Sequence, residues 1–479
     1  MRVLLVVTDL SACEQYGPMY LSALAQQKGC QTRFVRAKPV AVQKAVKEWA
    51  PQVVAWSAAS GEFEAMAGLN DSLKKDHDFV SIFGGPHPTY LPESLFKHRI
   101  DYGVIGEGEG AFVDLLEAVA NNSDGSQMAN VVTPDKQTTE VRPLIADLDV
   151  LPLPDYHGFY EANPYVGQFP VKSFIPVRGC PHNCTYCFNH QFRAFYKGKG
   201  PVVRRASVGR VIEEVLFVKN HFPMELVRFN PDCFAPRRDQ WLEEFCQEFP
   251  RKVGLPFYCV LNPNNVTEEI IAMLKEAGLV SVFSAIECGV EDYRRQVLKR
   301  NMSDQKLLST FSLLKKYKIN ALSNSMIALP GTSFEDDLKT LELNQRCQPT
   351  PGVATIFQPY PKLKLTTYAI EHGHYADSDQ SGNIQFFRKS VLDFPETVRR
   401  QQKNLCDSFS LLVRFPFLTK VLKPVMASRP LIFPFALWST FIWGYSYQTK
   451  IFPHRRTVGR VWTNLKAAVS YFSNTLRGE

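Results

Sequence analysis

Three cysteines, Cys180, Cys184 and Cys187, stand at C-x3-C-x2-C spacing in the stretch Arg178-Gly179-Cys180-Pro181-His182-Asn183-Cys184-Thr185-Tyr186-Cys187. Thiolates this close on one loop suit a soft metal centre. A [4Fe–4S] cube has four irons, so three thiolates leave one iron open to another ligand. Side chains alone do not carry one-electron chemistry, and such a cofactor would. The alternative is a structural zinc with His182 or His190 as fourth ligand. Zinc sites usually pair two separated ligand couples, and no second couple follows in the sequence.

The surrounding pattern has to hold that loop in place. Strand-like runs at 174–177, 226–229, 257–261, 281–286, 321–327 and 355–358 alternate with helical stretches at 208–221, 268–277, 304–317 and 334–345. Six strands in this alternation predict a partial (β/α)6 barrel over 171–370, with its active face at the strand carboxyl ends, where the cysteines fall. Upstream, the short apolar run 3–7 reads as a central parallel strand and not as a signal peptide. A helix over 20–29 with Gly29 just past its end, strands at 32–35, 53–57 and 79–83, and a helix at 42–49 predict a doubly wound α/β domain over 1–130.

Ligands in such folds bind beyond the strand carboxyl ends. Three turns lie there: Ser57-Ala58-Ala59-Ser60-Gly61, Gly84-Gly85-Pro86-His87 and Gly106-Glu107-Gly108-Glu109. Glycines let a flat ligand approach the backbone, and tight strand-to-helix turns explain them as well. The stretch 131–170, with Leu151-Pro152-Leu153-Pro154, reads as a surface linker. Residues 371–479 form a C-terminal accessory region, expected to be small and mostly helical.

At the cysteine loop the chain resembles the radical S-adenosylmethionine (SAM) superfamily, in which the open iron chelates SAM and an electron from the cluster cleaves it to a 5′-deoxyadenosyl radical. With the three N-terminal turns, it resembles the cobalamin (B12)-binding branch of that family. The resemblance implies a Rossmann-like cobalamin domain ahead of the barrel. It also implies cofactor contacts from Tyr186, Asp232, Glu287, Gly289, Leu329, Pro330, Gly331 and Gln358 to SAM, and from Ser11, Ala12, Ser57, Ala58, Gly84, Gly85, Pro86, Gly106, Glu107 and Gly108 to cobalamin.

There are departures from the pattern. Asp9-Leu10-Ser11-Ala12 lacks the histidine of mutase-type cobalamin domains, so the resemblance implies a cobalamin bound without a protein histidine ligand; His87 belongs to the nucleotide-tail turn. Asn230 replaces the first acid of an Asp-Asp pair, Cys288 replaces a serine, and Lys362-Leu363 stand where Gly-Thr is usual.

The 479 residues carry a net charge of +8, mild for this length, which implies no nucleic-acid partner. Eleven cysteines without pairing rhythm suit a reduced, cytoplasmic protein. The run 431–445 is aromatic and apolar but shorter than the roughly 20 residues of a spanning helix, and Pro434 interrupts it. Aromatics bordered by Arg429, Lys450, Arg455 and Arg456 suit peripheral contact with a membrane interface, the alternative being an internal packing helix. The reading is an enzyme: a cobalamin-dependent radical SAM methyltransferase acting on an unactivated carbon of a small or lipid-like molecule. A flavodoxin or ferredoxin would supply electrons. A radical cyclase or oxidase and a cobalamin- or redox-sensing binding protein are the alternatives.

Overall fold

The computed structural model describes residues 1–8, 13–376 and 389–455. The first apolar run forms β1, Arg2–Val7, with five of six residues buried. Side-chain alternation divides it between two cores. Val3, Leu5 and Val7 pack with Phe112 and Leu115 on one face, and Leu4 and Val6 with Val42, Phe63 and Met66 on the other. Strands β2 (Gln31–Arg36), β3 (Val53–Ser57), β4 (Val80–Gly84), β5 (Tyr102–Val104) and β6 (Val131–Val132) complete the sheet in the order β2-β1-β3-β4-β5-β6. All neighbours are parallel except β5 and β6. The chain steps from β1 to β2 on one side and then to β3 on the other. That reversal leaves a crevice at the carboxyl ends of β1 and β3.

A second sheet follows: β7 (Val171–Phe174), β10 (Leu226–Phe229), β11 (Phe257–Val260), β12 (Leu279–Phe283), β13 (Asn320–Ile327) and β14 (Gly352–Ile356), each parallel to its neighbour in that order. Among the described residues no pairing joins β7 to β14, so the barrel is partial. Between β7 and β10 a small antiparallel ribbon pairs β8 (Val177–Arg178) with β9 (Arg204–Arg205).

Several predicted strands lie nearer the N-terminus than expected. The run 174–177 was placed as one strand, yet β7 ends at Phe174 and Pro176, which has no N–H for a ladder, separates it from β8. The cysteine loop therefore leaves a two-stranded ribbon and not a barrel strand. The predicted strands at 281–286 and 355–358 overran β12 and β14 because Ala285, Ile286 and Phe357, beyond the strand ends, are as buried as the strands themselves.

The stretch 131–170 is no surface linker. It contributes β6 and two short helices, Tyr156–Ala162 and Pro164–Gln168, whose Tyr156, Phe159 and Tyr160 are buried. Tyr160 donates to Glu14 (2.7 Å), and the Glu14 carboxylate accepts from the Ser173 N–H (3.0 Å), tying the first domain to β7.

After the barrel, the helix Glu396–Arg414 packs on β14, with Ser410 donating to Gly352 O (2.7 Å). The helix Arg429–Ser446 lies against it and runs through Pro434, contrary to the interruption expected there. The chain then returns beneath the barrel, where Phe452 packs on Tyr258 (ring centroids 4.9 Å apart) and Ile451 O accepts from Ser281. No helix among the described residues is long and apolar enough to cross a membrane.

Candidate active site

The cysteine loop is fixed on several sides by bonds to its backbone and to Thr185, while Asn189 donates to Cys187 Sγ (3.5 Å). The loop departs from β8 through Gly179, at φ 81°, where a Cβ would lie 2.2 Å from the Val202 carbonyl oxygen. Only glycine fits there. Thr185 donates its N–H to Leu298 O (3.1 Å) and its hydroxyl to Val297 O (2.8 Å), and Arg193 donates to Pro181 O (2.8 Å). Cys180, Cys184 and Cys187 form no disulfide. Burial pushes the Cys180 thiol up to about 12 and raises Cys187 as well. Such thiols become thiolates only beside a strong positive centre, which iron supplies. Three thiols on one loop can take one iron each of a cube and leave the fourth iron open. His190 Nδ1 bonds the Cys184 carbonyl (3.1 Å), which holds the loop and leaves Nε2 unpartnered.

Behind the loop, Tyr186 donates to the Glu287 carboxylate (2.9 Å) and accepts from Arg300 (3.2 Å), with Arg300 and Glu287 3.8 Å apart. Burial raises the Glu287 carboxyl, Arg300 working against it. Glu287 sits at φ 68°, and its main chain bridges to β13 through Asn324 O and the Met326 N–H. Its carboxylate is thus engaged with the loop. Gly289 has a packing reason of its own: a Cβ would lie 2.3 Å from Lys339 O. Cys288, at the serine position of the family turn, faces the Val290 N–H (3.4 Å).

The turn after β13 is strained and held. Ala328 has φ 57°, and its N–H donates to the buried Asp337 carboxylate (3.0 Å). Leu329 is buried, Pro330 O accepts from Tyr293 (2.6 Å), and Gly331 takes φ 77°. Two polar side-chain atoms lack protein partners: the Asn324 amide oxygen Oδ1 and the Gln358 amide nitrogen Nε2. Ser323 and Ser325 both bond Asn344 of the outer helix Phe334–Cys347, so alternation turns Asn324 to the inner face of β13. Asn324 is not among the sequence candidates; its signal is the polar run Ser323-Asn324-Ser325 inside a strand. Asp232, after β10, is exposed and lines the cleft beside Asn230 and Cys187. These unsatisfied groups and free thiols fit a polar cofactor bound at the barrel's carboxyl face.

In the first domain a cavity of about 310 Å3 opens at the β1/β3 crevice, lined by Tyr16, Tyr20, Ser57, Gly84 and Gly85 among others. Gly106, Glu107 and Gly108 also line it. Ala58 is fully buried and Pro86 faces the neighbouring cleft, so neither borders the cavity. Ser11 and Ala12 lie outside the described residues. Gly85 and Gly106 have φ of 101° and 73°; a Cβ on the first would meet Ala58 O at 2.9 Å, and on the second Tyr196 Oη at 2.0 Å. His87 lines neither space: it stacks on Phe63 (4.0 Å) and bonds Ser94 (2.7 Å), and burial lowers its basicity to about 4.

Glu107 accepts from Arg204 (2.6 and 2.8 Å) and Arg178 (3.2 Å), and Glu109 pairs with Arg178 (2.7 Å). Burial works to raise Glu107, but the two guanidiniums hold it below the usual carboxylate range. The carboxylate therefore bolts the first domain to the ribbon carrying the cysteine loop. The cavity is largely apolar and, at about 310 Å3, has room for one arm of a large ligand and not for the whole of it. A second cleft of about 730 Å3 runs along the cysteine loop, walled by Tyr90, Phe188 and Tyr360. Glu107, Ile175 and Arg178 line both spaces.

The family model for the B12 binding domain matches residues 2–116, and that for the radical SAM superfamily matches 174–343. The chain is 24% identical over 339 residues to an uncharacterized methyltransferase, PH0819, of Pyrococcus horikoshii, covering 69% of this chain and 72% of that one. It is 24% identical over 407 residues to the anaerobic magnesium-protoporphyrin IX monomethyl ester cyclase of Rubrivivax gelatinosus, covering 76% and 70%. Its fold is similar to that of TsrM, a radical SAM methyltransferase from Kitasatospora setae solved with cobalamin and a [4Fe–4S] cluster (TM-score 0.64, 13% identity, 79% of this chain and 76% of that one). The cobalamin-dependent radical SAM enzyme OxsB also matches (TM-score 0.61, 14% identity), with 77% of this chain covering 55% of the longer protein. With both domains matched in order on one chain, this protein belongs to the B12-binding radical SAM enzymes.

Proposed function

We propose that this enzyme methylates an unactivated carbon of a small molecule, with a cobalamin and a SAM-bearing [4Fe–4S] cluster as cofactors. The observation that carries the reading is the sharing of Glu107, Ile175 and Arg178 by the crevice cavity and the cysteine-loop cleft. When bound, these groups supply a radical for hydrogen abstraction and a methyl group for the carbon left behind.

The chain's own part is to hold and orient. Cys180, Cys184 and Cys187 would hold the cluster, one thiolate each, and the Tyr186–Glu287–Arg300 set steadies their loop. Leu329, Pro330 and Gly331 offer a packed wall for the nucleoside, and Gln358 and Asp232 offer polar contacts to SAM. Ser57, Gly84, Gly85, Gly106 and Gly108 shape the corrinoid cavity without a histidine ligand. Residues 1–130 then bind the corrinoid, 131–170 join the halves, 171–370 carry cluster and SAM, and 371–479 are an accessory region. The stacked Tyr90 and Phe188 (4.6 Å) and the nearby Tyr360 favour a largely apolar substrate. A one-electron donor such as flavodoxin or ferredoxin is required. Among the described residues no disulfide is present, which suits a reducing compartment. Relatives named as methyltransferases support the reading; the relative named as a cyclase favours, as second reading, ring formation or oxidation on the same two sites.

The test is anaerobic reconstitution with iron, sulfide and hydroxocobalamin, then reduction with SAM and assay for 5′-deoxyadenosine and bound corrinoid. The proposal expects both, with Cys184→Ala abolishing the nucleoside. SAM cleavage without corrinoid binding overturns methyl transfer.

A further inference from the structure

We infer that the base of the barrel, the end away from the cleft, docks on an anionic lipid surface. The inference goes beyond the reaction and rests on other residues. Between Asp407 and Glu479 the sequence holds no Asp or Glu and ten Lys or Arg. Within this stretch the helix Arg429–Ser446 buries Ile432, Ala436 and Ser439 against its neighbour. A soluble helix would turn polar residues outward on the other side. This one presents Leu431, Trp438, Phe441 and Tyr445, at spacings of three, four and seven that keep one face, and Phe441 is 68% exposed. Phe417 and Val421 of the preceding helix, Phe417–Leu422, are exposed as well.

Beside this stripe lies a groove of about 800 Å3 bordered by Trp438, Phe441 and Tyr445. Its charged lining residues are Lys315, Lys318, Arg414 and Lys450, and no carboxylate is among them. The four cations come from three segments of the chain, Lys315 and Lys318 sharing one helix end, and Arg414 and Lys450 have no carboxylate partner among the described residues. Aromatic side chains that enter an interface, next to cations without counter-ions, complement phosphate head groups above acyl chains. A twofold pairing of this face would set the same cations against each other, which disfavours a second copy as occupant. The groove reaches Asn320 and Gly352, the first residues of β13 and β14. A protein resting on this end keeps its cleft directed away from the bilayer.

The experiment is co-sedimentation of the full-length, cofactor-reconstituted protein with phosphatidylcholine vesicles, with and without about one-third phosphatidylglycerol. The expected result is binding to the anionic vesicles, weakened roughly tenfold on neutral ones and by high salt. The pair Trp438→Ser and Phe441→Ser, and separately the pair Arg414→Gln and Lys450→Gln, should each lower partition about tenfold, with cluster absorbance and unfolding midpoint unchanged. If the variants do not fold, the lipid and salt dependence of the parent protein decides. No binding, or equal binding to both vesicle types, overturns the proposal. So does a dimer that the same substitutions dissociate while vesicle partition stays constant.

Discussion

The two six-stranded sheets both present a site at their carboxyl ends, but they treat polar groups in opposite ways. Around the first, Glu107 and Glu109 are engaged with Arg178 and Arg204, and the space left is a shaped apolar cavity. Around the second, the three thiols form no disulfide and no ion pair, and the Asn324 side-chain oxygen and the Gln358 amide nitrogen have no partner among the described residues. On the proposed function, the first site would select its ligand by fit and excluded water, the second by ligation and hydrogen bonding. Substitutions at the first should therefore cost stability, and at the second function.

The largest effect separates the two sites outright. Cys184→Ala should reduce 5′-deoxyadenosine formation to background while corrinoid binding, read from the visible spectrum, persists. Arg204→Met should lower stability by about 3 kcal/mol in denaturant unfolding, because it leaves the Glu107 carboxylate buried with less compensation. The Arg204 side chain is almost wholly buried and donates to Glu107 from both terminal nitrogens, Nη1 and Nη2. Gln358→Leu should leave stability within about 0.5 kcal/mol, since it removes an unpartnered amide, yet weaken SAM binding roughly tenfold in titration. Equal stability losses for Arg204→Met and Gln358→Leu would erase the distinction.

A pH series sharpens it further. Burial raises the Asp337 carboxyl to about 7 from an ordinary 3.8, against bonds from the Ala328 N–H and Gln402. Between those values the folded protein keeps a proton that the unfolded chain has lost. Stability should therefore fall as pH rises from about 4 to about 7, by up to about 1.4 kcal/mol per unit for this group, and change no further above. Glu214, also raised to about 7, adds to the same slope. Asp337→Asn keeps an acceptor for Ala328 and can donate to the unpartnered Gln402 oxygen, so unfolding measured at pH 5 and pH 8 should show a flatter profile. The smallest effect is at Lys362, whose φ is 61° and whose pairing with Glu93 (2.9 Å) is half-exposed. Lys362→Gly should stabilise by about 1 kcal/mol or less, as relief of strain outweighs a weak surface pair.

Much of this was legible in the chain because it depended on local pattern. The runs at 3–7 and 53–57 and the helix at 208–221 have periodicities that burial obeys, and the cysteine spacing is chemistry written in sequence. What stayed hidden depends on distant partners. Nothing local shows that Glu107 turns to Arg204, or that Glu287 faces Tyr186, so both read as ligand contacts. The ribbon β8/β9 was missed because two-residue strands have no periodicity, and Tyr156 and Tyr160 were placed in a surface linker because proline-rich flanks masked a buried pair. At Lys362 the reverse held: the departure from Gly-Thr was visible, but the positive φ that makes it matter was not.

The central claim is that both cofactor sites open on one cleft. The direct measurement is electron paramagnetic resonance of the protein reconstituted with cluster and cob(II)alamin, before and after reduction of the cluster. If both face the cleft bordered by Glu107, Ile175 and Arg178, the reduced cluster should speed the relaxation and broaden the cob(II)alamin signal. A cob(II)alamin signal unchanged by cluster reduction would place the two centres apart and contradict the account.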